Sequence, residues 1–289
     1  VGSEMCIRDS CGNGSMELIA CLTQSYCDEE SAVLAPAHAY PFFRTAAGLA
    51  RARYDTAPEV GVTASVDALL AAVQPDTRIV FIPNPDNPTG TRIPRTELDR
   101  LRESLRGVIM LVIDEAYGEF ADHLGESLFD LVRRGDTVIL RTFSKAYGLA
   151  GIRVGWGLFP ENIAGEVRKV MNPNNISVAG QAAAAKALSD QAYMRETCAI
   201  TAGLRDGFSN RLRKVGFYIA ESFTNFALIR FHDAWAAQRA DATLRAEGIV
   251  VRAQSGAGLP DCLRITIGTA EDLDLAASLL EHKAKGGKA

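Results

Sequence analysis

The feature that most constrains how this chain can fold is a series of short apolar, β-branched runs that each stop at a polar residue. Residues 78–82 (RIVFI) run into Pro83 and Asn84, 108–113 (VIMLVI) stop at Asp114, and 137–140 (TVIL) stop near Arg141. Unbroken apolar runs of this length are typical of strands buried on both faces. A helix is predicted between the first two, over 95–105, with Pro94 at or near its first turn, where a missing N–H is harmless. A shorter, glycine-interrupted strand is predicted at 154–158. This alternation predicts an α/β fold, a large domain with a mainly parallel sheet and helices on both faces. Open sheets of this kind bind ligands just past the carboxyl ends of their strands, and the polar residues after these runs sit there.

Beyond the stretch MNPNNIS, at 171–177, the texture changes. Residues 178–214 look helical, first Ala-rich and then Arg-rich. Strands are predicted at 227–230 (ALIR), 249–252 (IVVR) and 263–267 (LRITI), with helices over 234–247 and 270–282. These fit a smaller C-terminal α/β domain with mostly antiparallel pairing. The Pro/Asn-rich 172–178 region would break a helix and marks the expected boundary, giving a large domain over 11–175 and a small domain with connecting helices over 176–289. The Lys/Gly-rich tail from Lys283 is expected to fray.

Composition excludes several classes of function. With 31 Lys plus Arg against 35 Asp plus Glu, the net charge is −4, the wrong sign for a phosphate-backbone binder, so no nucleic-acid partner is expected. No run approaches the ~18 apolar residues of a membrane span, and the opening VGSEMCIRDS lacks a signal-peptide core. Cys6, Cys11, Cys21, Cys27, Cys198 and Cys262 are irregularly spaced with no C-x-x-C, and His38, His123, His232 and His282 are far apart. Free thiols in a cytoplasmic protein, with neither metal site nor membrane association, are expected.

Four segments carry candidate chemistry. Gly12-Asn13-Gly14-Ser15-Met16-Glu17 is a glycine turn entering a helix. It is either an anion cradle of exposed N–H groups or an ordinary helix entry capped by Ser15. Asn84-Pro85-Asp86-Asn87-Pro88-Thr89-Gly90 is a rigid turn, or a device that fixes a side-chain amide beside a ligand. Asp114-Glu115-Ala116-Tyr117 follows a buried strand, where a carboxylate needs a partner or a task. An acidic pair of a nucleotide hydrolase is a poor reading, because no G-x-x-x-x-G-K-[ST] segment accompanies it. In Arg141-Thr142-Phe143-Ser144-Lys145-Ala146-Tyr147-Gly148, a lysine lies among hydroxyls and small residues. Lys145 could form a Schiff base with an aldehyde cofactor, while Ser144 and Arg153 could bind a phosphate.

With GNGSMELI, NPDNPTG, VIDEAY, RTFSKAYGLAGIRVGW, TNFALIR, GIVVR and LRITIGT in this order, the sequence resembles the fold-type-I pyridoxal-phosphate aminotransferases of class I/II. Within these it is most similar to histidinol-phosphate aminotransferases. The resemblance runs from about Cys11 to the C-terminus and implies the pyridoxal-phosphate transferase fold and pyridoxal 5'-phosphate as cofactor. It implies that Lys145 carries the cofactor as an imine and moves the substrate proton, that Asp114 keeps the pyridine nitrogen protonated, and that Tyr117 and Asn87 contact the ring oxygen. Gly14, Ser15, Ser144 and Arg153 would hold the phosphate, and Tyr40, with His38 as the alternative, would stack on the ring. Arg264 would take a substrate carboxylate or phosphate, Arg252 would lie near the substrate phosphate, and Asn225 would lie near the same pocket. Met16 stands where the family carries an acidic residue.

The expected reaction is transfer of an amino group from histidinol phosphate to 2-oxoglutarate in histidine biosynthesis, by a homodimer with its active sites at the subunit interface. An aromatic amino-acid aminotransferase is the first alternative, a decarboxylase on the same scaffold a weaker one, and a catalytically silent binding protein the alternative from another class. The family's N-terminal arm and first helix have no counterpart here, and residues 1–10 match none of the pattern. They are expected to be a non-family or artefactual start, with the chain a catalytically impaired fragment that binds cofactor weakly.

Overall fold

A computed structural model describes residues 9–286. Its first half runs β1 (Asp9–Gly12), α1 (Ser15–Tyr26), β2 (Ala32–Pro36), α2 (Phe42–Leu49), β3 (Arg53–Ala57), a hairpin of β4 (Glu59–Val60) and β5 (Thr63–Ala64), and α3 (Val66–Ala72). It continues through β6 (Thr77–Pro83), α4 (Arg95–Ser104), β7 (Met110–Asp114), β8 (Thr137–Thr142), β9 (Gly155–Leu158) and α5 (Glu161–Val170). Seven strands form one sheet in the order β1-β9-β8-β7-β6-β2-β3. The run β8-β7-β6-β2-β3 is parallel throughout, and β9 is antiparallel to both of its neighbours.

Side-chain alternation explains why the strands read as continuous apolar runs. Ile79, Phe81, Met110, Val112, Val138 and Leu140 pack on one face against Leu18, Ile19 and Leu22 of α1, Phe43 of α2 and Val167 of α5. Val80, Ile82, Leu111, Ile113 and Ile139 pack on the other face against Leu69 of α3 and Leu98 and Leu101 of α4. Both faces are covered, so both phases of the period-two pattern are apolar.

The second half comprises α6 (Val178–Ser189), α7 (Gln191–Lys214), β10 (Tyr218–Ile219), β11 (Phe226–Arg230), α8 (Ala234–Ala246), β12 (Arg252–Gln254), β13 (Leu259–Thr266) and α9 (Ala270–Gly286). Its four strands form a separate antiparallel sheet, β10-β11-β13-β12. Asp190 divides the long helical stretch, its side chain accepting from the Tyr193 N–H at 3.2 Å as the cap of α7.

Three expectations need correction. The strand predicted at 249–252 lies at Arg252–Gln254 instead, because Gly248 (φ +81°) and the Ile249 N–H, bonded to Leu244 O at 2.9 Å, are still closing α8. The strand predicted from 108 begins at Met110, because Val108 and Ile109 complete a turn in which the Ile109 N–H donates to Arg106 O. The tail from Lys283 continues α9 as far as Gly286. Of the first ten residues, Asp9 and Ser10 pair with Leu158 and Gly157 of β9, and residues 1–8 lie outside those described. No helix among the described residues is long and apolar enough to cross a membrane.

Candidate active site

Pro83, Asp114 and Thr142 are the last residues of the three central strands, and all three line one cleft of 160 Å³ at the carboxyl edge of the sheet. Seven further candidate site residues from the sequence line it with them: Ser15, Tyr40, Asn87, Tyr117, Ser144, Lys145 and Arg153. They come from five separate segments, so the cleft exists only because parallel strands bring their carboxyl ends to the same edge.

Lys145 lies in the turn after β8, half-buried, with its Nζ 5.2 Å from the centre of the Tyr117 ring. Burial lowers its pKa, the Arg264, Arg153 and Arg252 guanidiniums lower it further, and the nearby Asp114 opposes them. Asp114 is 4% exposed. Burial lifts its pKa to about 6 against the counter-effects of Lys145 and of the Ala116 N–H, which donates to Oδ1 at 3.0 Å. Tyr117 is buried beneath the cleft, packed edge-on against Phe226 at 5.2 Å, and burial pushes its hydroxyl up to about 12.

At one end of the cleft Gly14 and Arg153 interlock. Gly14 has φ +79° and ψ +163°, a conformation close to glycine-only, and a Cβ there would collide with Arg153 Nη2. Arg153 itself adopts φ +60°. Its Nη1 donates to Ala150 O at 2.9 Å and reaches Ser144 Oγ at 3.4 Å. Ser15 opens α1, and its backbone nitrogen lies so near Gly155 that a Cβ on Gly155 would collide with it. Gly14 is the cap residue of α1 and no side-chain cap bond forms, so Ser15 is not the cap.

The small sheet supplies the remaining residues. Arg264 Nη1 donates to Asn87 Oδ1, and its guanidinium lies 4.7 Å over the Phe226 ring. Arg252 is paired with Arg264 across β12 and β13 and is exposed. Asn225 is half-buried, and its carbonyl accepts from the Ile267 N–H. Arg252, Arg264 and Asn225 do not line the 160 Å³ cleft. Of the two candidates on the segment after β2, Tyr40 lines the cleft, whereas the His38 ring is bonded through Nδ1 to Ala257 O at 2.8 Å.

Phe226 and Thr142 lie in the TNFALIR and RTFSKAYG stretches, but no role was read for them there. Thr142 could have been read from its place at a strand end two residues before Ser144, whereas Phe226 resembles any core aromatic. No cluster of metal-ligating side chains occurs among the described residues.

A family profile described as aminotransferase class I and II matches residues 10–280. The chain belongs to that family. It is 46% identical over 281 residues to a histidinol-phosphate aminotransferase of Paramagnetospirillum magneticum, covering 95% of this chain and 77% of that protein. A second, from Rhodospirillum centenum, is 39% identical and covers 96% and 78%. Among solved structures, the histidinol-phosphate aminotransferase of Sinorhizobium meliloti in complex with pyridoxal-5'-phosphate superposes with a TM-score of 0.90 at 29% identity, covering 97% of this chain and 77% of that one.

Proposed function

We propose that the chain is a histidinol-phosphate aminotransferase that binds pyridoxal phosphate in the 160 Å³ cleft and passes the amino group of histidinol phosphate to 2-oxoglutarate. The observation that carries this reading is the convergence of Lys145, Asp114 and the Gly14–Arg153 cradle on one cleft.

The residues fit the cofactor. Gly14 leaves space where a Cβ would displace the Arg153 guanidinium, and the exposed donors of Arg153, Ser144 and the start of α1 suit a phosphate. Among the described residues Asp114 is a buried carboxylate without a salt-bridge partner at hydrogen-bond distance, a position that a protonated ring nitrogen would satisfy. Pyridoxal phosphate supplies a carbonyl that condenses with amines and a protonated ring that accepts the electron pair of a breaking Cα–H bond.

The residues of this chain do the rest. The lowered pKa of Lys145 increases the share of free amine at neutral pH, the form needed both to attack a carbonyl and to carry a proton. Asp114 holds a proton on the nitrogen presented to it, because a charge-assisted hydrogen bond in a water-poor site is strong. Tyr117 and Asn87 offer an O–H and an amide to a ring oxygen, and Tyr40 offers an aromatic face. Arg264, oriented by Asn87, binds a substrate carboxylate or phosphate, Arg252 beside it a phosphate, and Asn225 belongs to the same substrate end. In this reading residues 11–175 form the cofactor-binding domain and 176–289 the small domain, and the enzyme acts as a cytoplasmic homodimer.

The test is a steady-state comparison of histidinol phosphate with phenylalanine and tyrosine, with 2-oxoglutarate as acceptor. A kcat/KM at least a hundredfold higher for histidinol phosphate is expected. Equal values would favour an aromatic amino-acid aminotransferase.

A further inference from the structure

Behind the cleft, a single side chain ties together the two turns that carry Asp114 and Lys145. Arg141 lies on β8 four residues before Lys145 and is 8% exposed. Its Nε donates to Glu115 Oε2 at 2.9 Å, and its two Nη atoms donate to Asp122 at 2.8 and 3.1 Å. Strand alternation explains the placement. Val138, Leu140 and Thr142 share the face that leads to the cleft, so Arg141 points to the opposite face, as Ile139 does. In the same way Glu115 turns away from the cleft next to Asp114, which lines it.

The surrounding backbone is shaped to this guanidinium. A Cβ at Gly118 would lie 2.9 Å from Arg141 Nη2 and 3.0 Å from Cζ, and the Phe129 ring stacks on the guanidinium at 4.9 Å. The Glu115 N–H also donates to Leu140 O at 2.8 Å. The turn after β7 is therefore fastened to β8 twice, once through the backbone and once through a side chain.

We infer that Arg141 is a positioning residue: its fork to Glu115 and Asp122 holds the Asp114–Tyr117 turn in register with the Ser144–Lys145 turn, although Arg141 does not line the cleft. This rests on the roles proposed above for Asp114 and Lys145. A lysine cannot replace it, because one ammonium cannot serve two carboxylates in the fixed directions of a planar guanidinium.

Arg141→Lys conserves the charge, so a change in the titration of Lys145 in this variant reports a movement of the groups around it. The experiment measures the pH dependence of Lys145 labelling by acetic anhydride, read by mass spectrometry on cofactor-free protein, together with the affinity for pyridoxal phosphate. For Arg141→Lys that still melts cooperatively, the labelling rate at a fixed pH below the midpoint should change at least threefold, and cofactor affinity should weaken at least tenfold. An unchanged labelling profile and affinity in the folded variant would overturn the inference, leaving Arg141 a support of the fold alone. If Arg141→Lys does not fold, Glu115→Gln decides. It keeps the Asp122 contact and loosens the link to the Asp114 turn while also removing a charge that acts on Asp114, so a labelling profile and cofactor affinity like those of the parent would all the more overturn the inference. If the parent takes up no pyridoxal phosphate, the proposed function fails, while the labelling profile still tests Arg141.

Discussion

Arg264 Nη1 donates to Asn87 Oδ1 across 177 positions of sequence. Asn87 belongs to the loop after β6 of the seven-stranded sheet and Arg264 to β13 of the four-stranded one, so this bond joins the two halves of the chain beside the cleft. The side chain proposed to take the substrate anion is oriented by one proposed to contact the cofactor. Among the described residues Arg264 Nε is buried without a hydrogen-bond partner, so the Asn87 amide oxygen and the Phe226 ring hold this guanidinium.

Removal of the Lys145 amine should abolish transamination. Both Lys145→Ala and Lys145→Arg should lose roughly 10³-fold or more, within the range of acid–base catalysis, since neither can form an exchangeable imine. Borohydride should fix cofactor mass to the parent peptide containing Lys145 and to neither variant. Comparable turnover in either variant would remove Lys145 from the chemistry.

Asp114→Asn should slow turnover far more than it weakens cofactor binding. The amide cannot stabilise a protonated ring nitrogen but leaves the Gly14–Arg153 end untouched. A loss of about 3 kcal/mol of transition-state stabilisation, at ~1.4 kcal/mol per tenfold, is expected in kcat. Cofactor titration and single-turnover rates separate the two effects, and a near-normal rate would make Asp114 a plain strand end.

Arg252→Ala should raise KM for histidinol phosphate by roughly tenfold or more, the effect of losing about 1.5–3 kcal/mol of charged hydrogen bonding. Phenylalanine and glutamate should be spared. An equal effect on phosphorylated and unphosphorylated donors would place the phosphate elsewhere.

Gly14→Ala tests the cradle. Its backbone conformation costs a non-glycine residue about 1–3 kcal/mol, and the new Cβ would push Arg153 aside. Cofactor affinity, followed by titration, should fall at least tenfold while the melting transition remains cooperative. Undiminished affinity would show that the phosphate does not sit there.

Glu119 gives a pH-dependent term in stability. Burial raises its carboxyl from 4.5 to about 7, against the opposing pull of Arg141. Below pH 4.5 folded and unfolded forms are both protonated and the group is neutral in effect. Between 4.5 and 7 the unfolded chain loses the proton first, so stability falls as pH rises and levels off above 7. At ~1.4 kcal/mol per unit the loss amounts to about 3 kcal/mol. In Glu119→Gln, denaturant melts across pH 5–8 should show this slope removed; a slope equal to the parent's would assign the effect to other groups.

The central strands were legible because they rest on local rules, and the motif residues because their stretches occur together in the order of a known family. Ile79–Ile82 and Val138–Leu140 are buried on two faces and must be apolar throughout, while Asn87, Asp114, Lys145 and Arg153 stood out through the family resemblance of the stretches that carry them. The edge of the sheet was not legible. Arg53–Ala57 forms β3 with exposed and half-buried positions and no apolar run, and its strand character comes from pairing with Ala32–Pro36. Val250 misled in the other direction, apolar in sequence yet 76% exposed, because the turn closing α8 delays the strand. Phe226 was invisible as a site residue because its contacts with Tyr117 and Arg264 are entirely tertiary.

The interlock of Gly14 with Arg153 also sets a timetable for assembly. Among the described residues β1, Asp9–Gly12, pairs only with Gly155–Leu158, so on a growing chain it waits for its partner while the intervening residues are made, on the order of ten seconds at ~5–20 residues per second. Helix α1 and the central strands can take shape in that interval, but the Gly14–Arg153 end of the cleft cannot. The end of the cleft proposed to hold a phosphate is therefore among the last parts of the large sheet to form, and its completion reports that the sheet has closed.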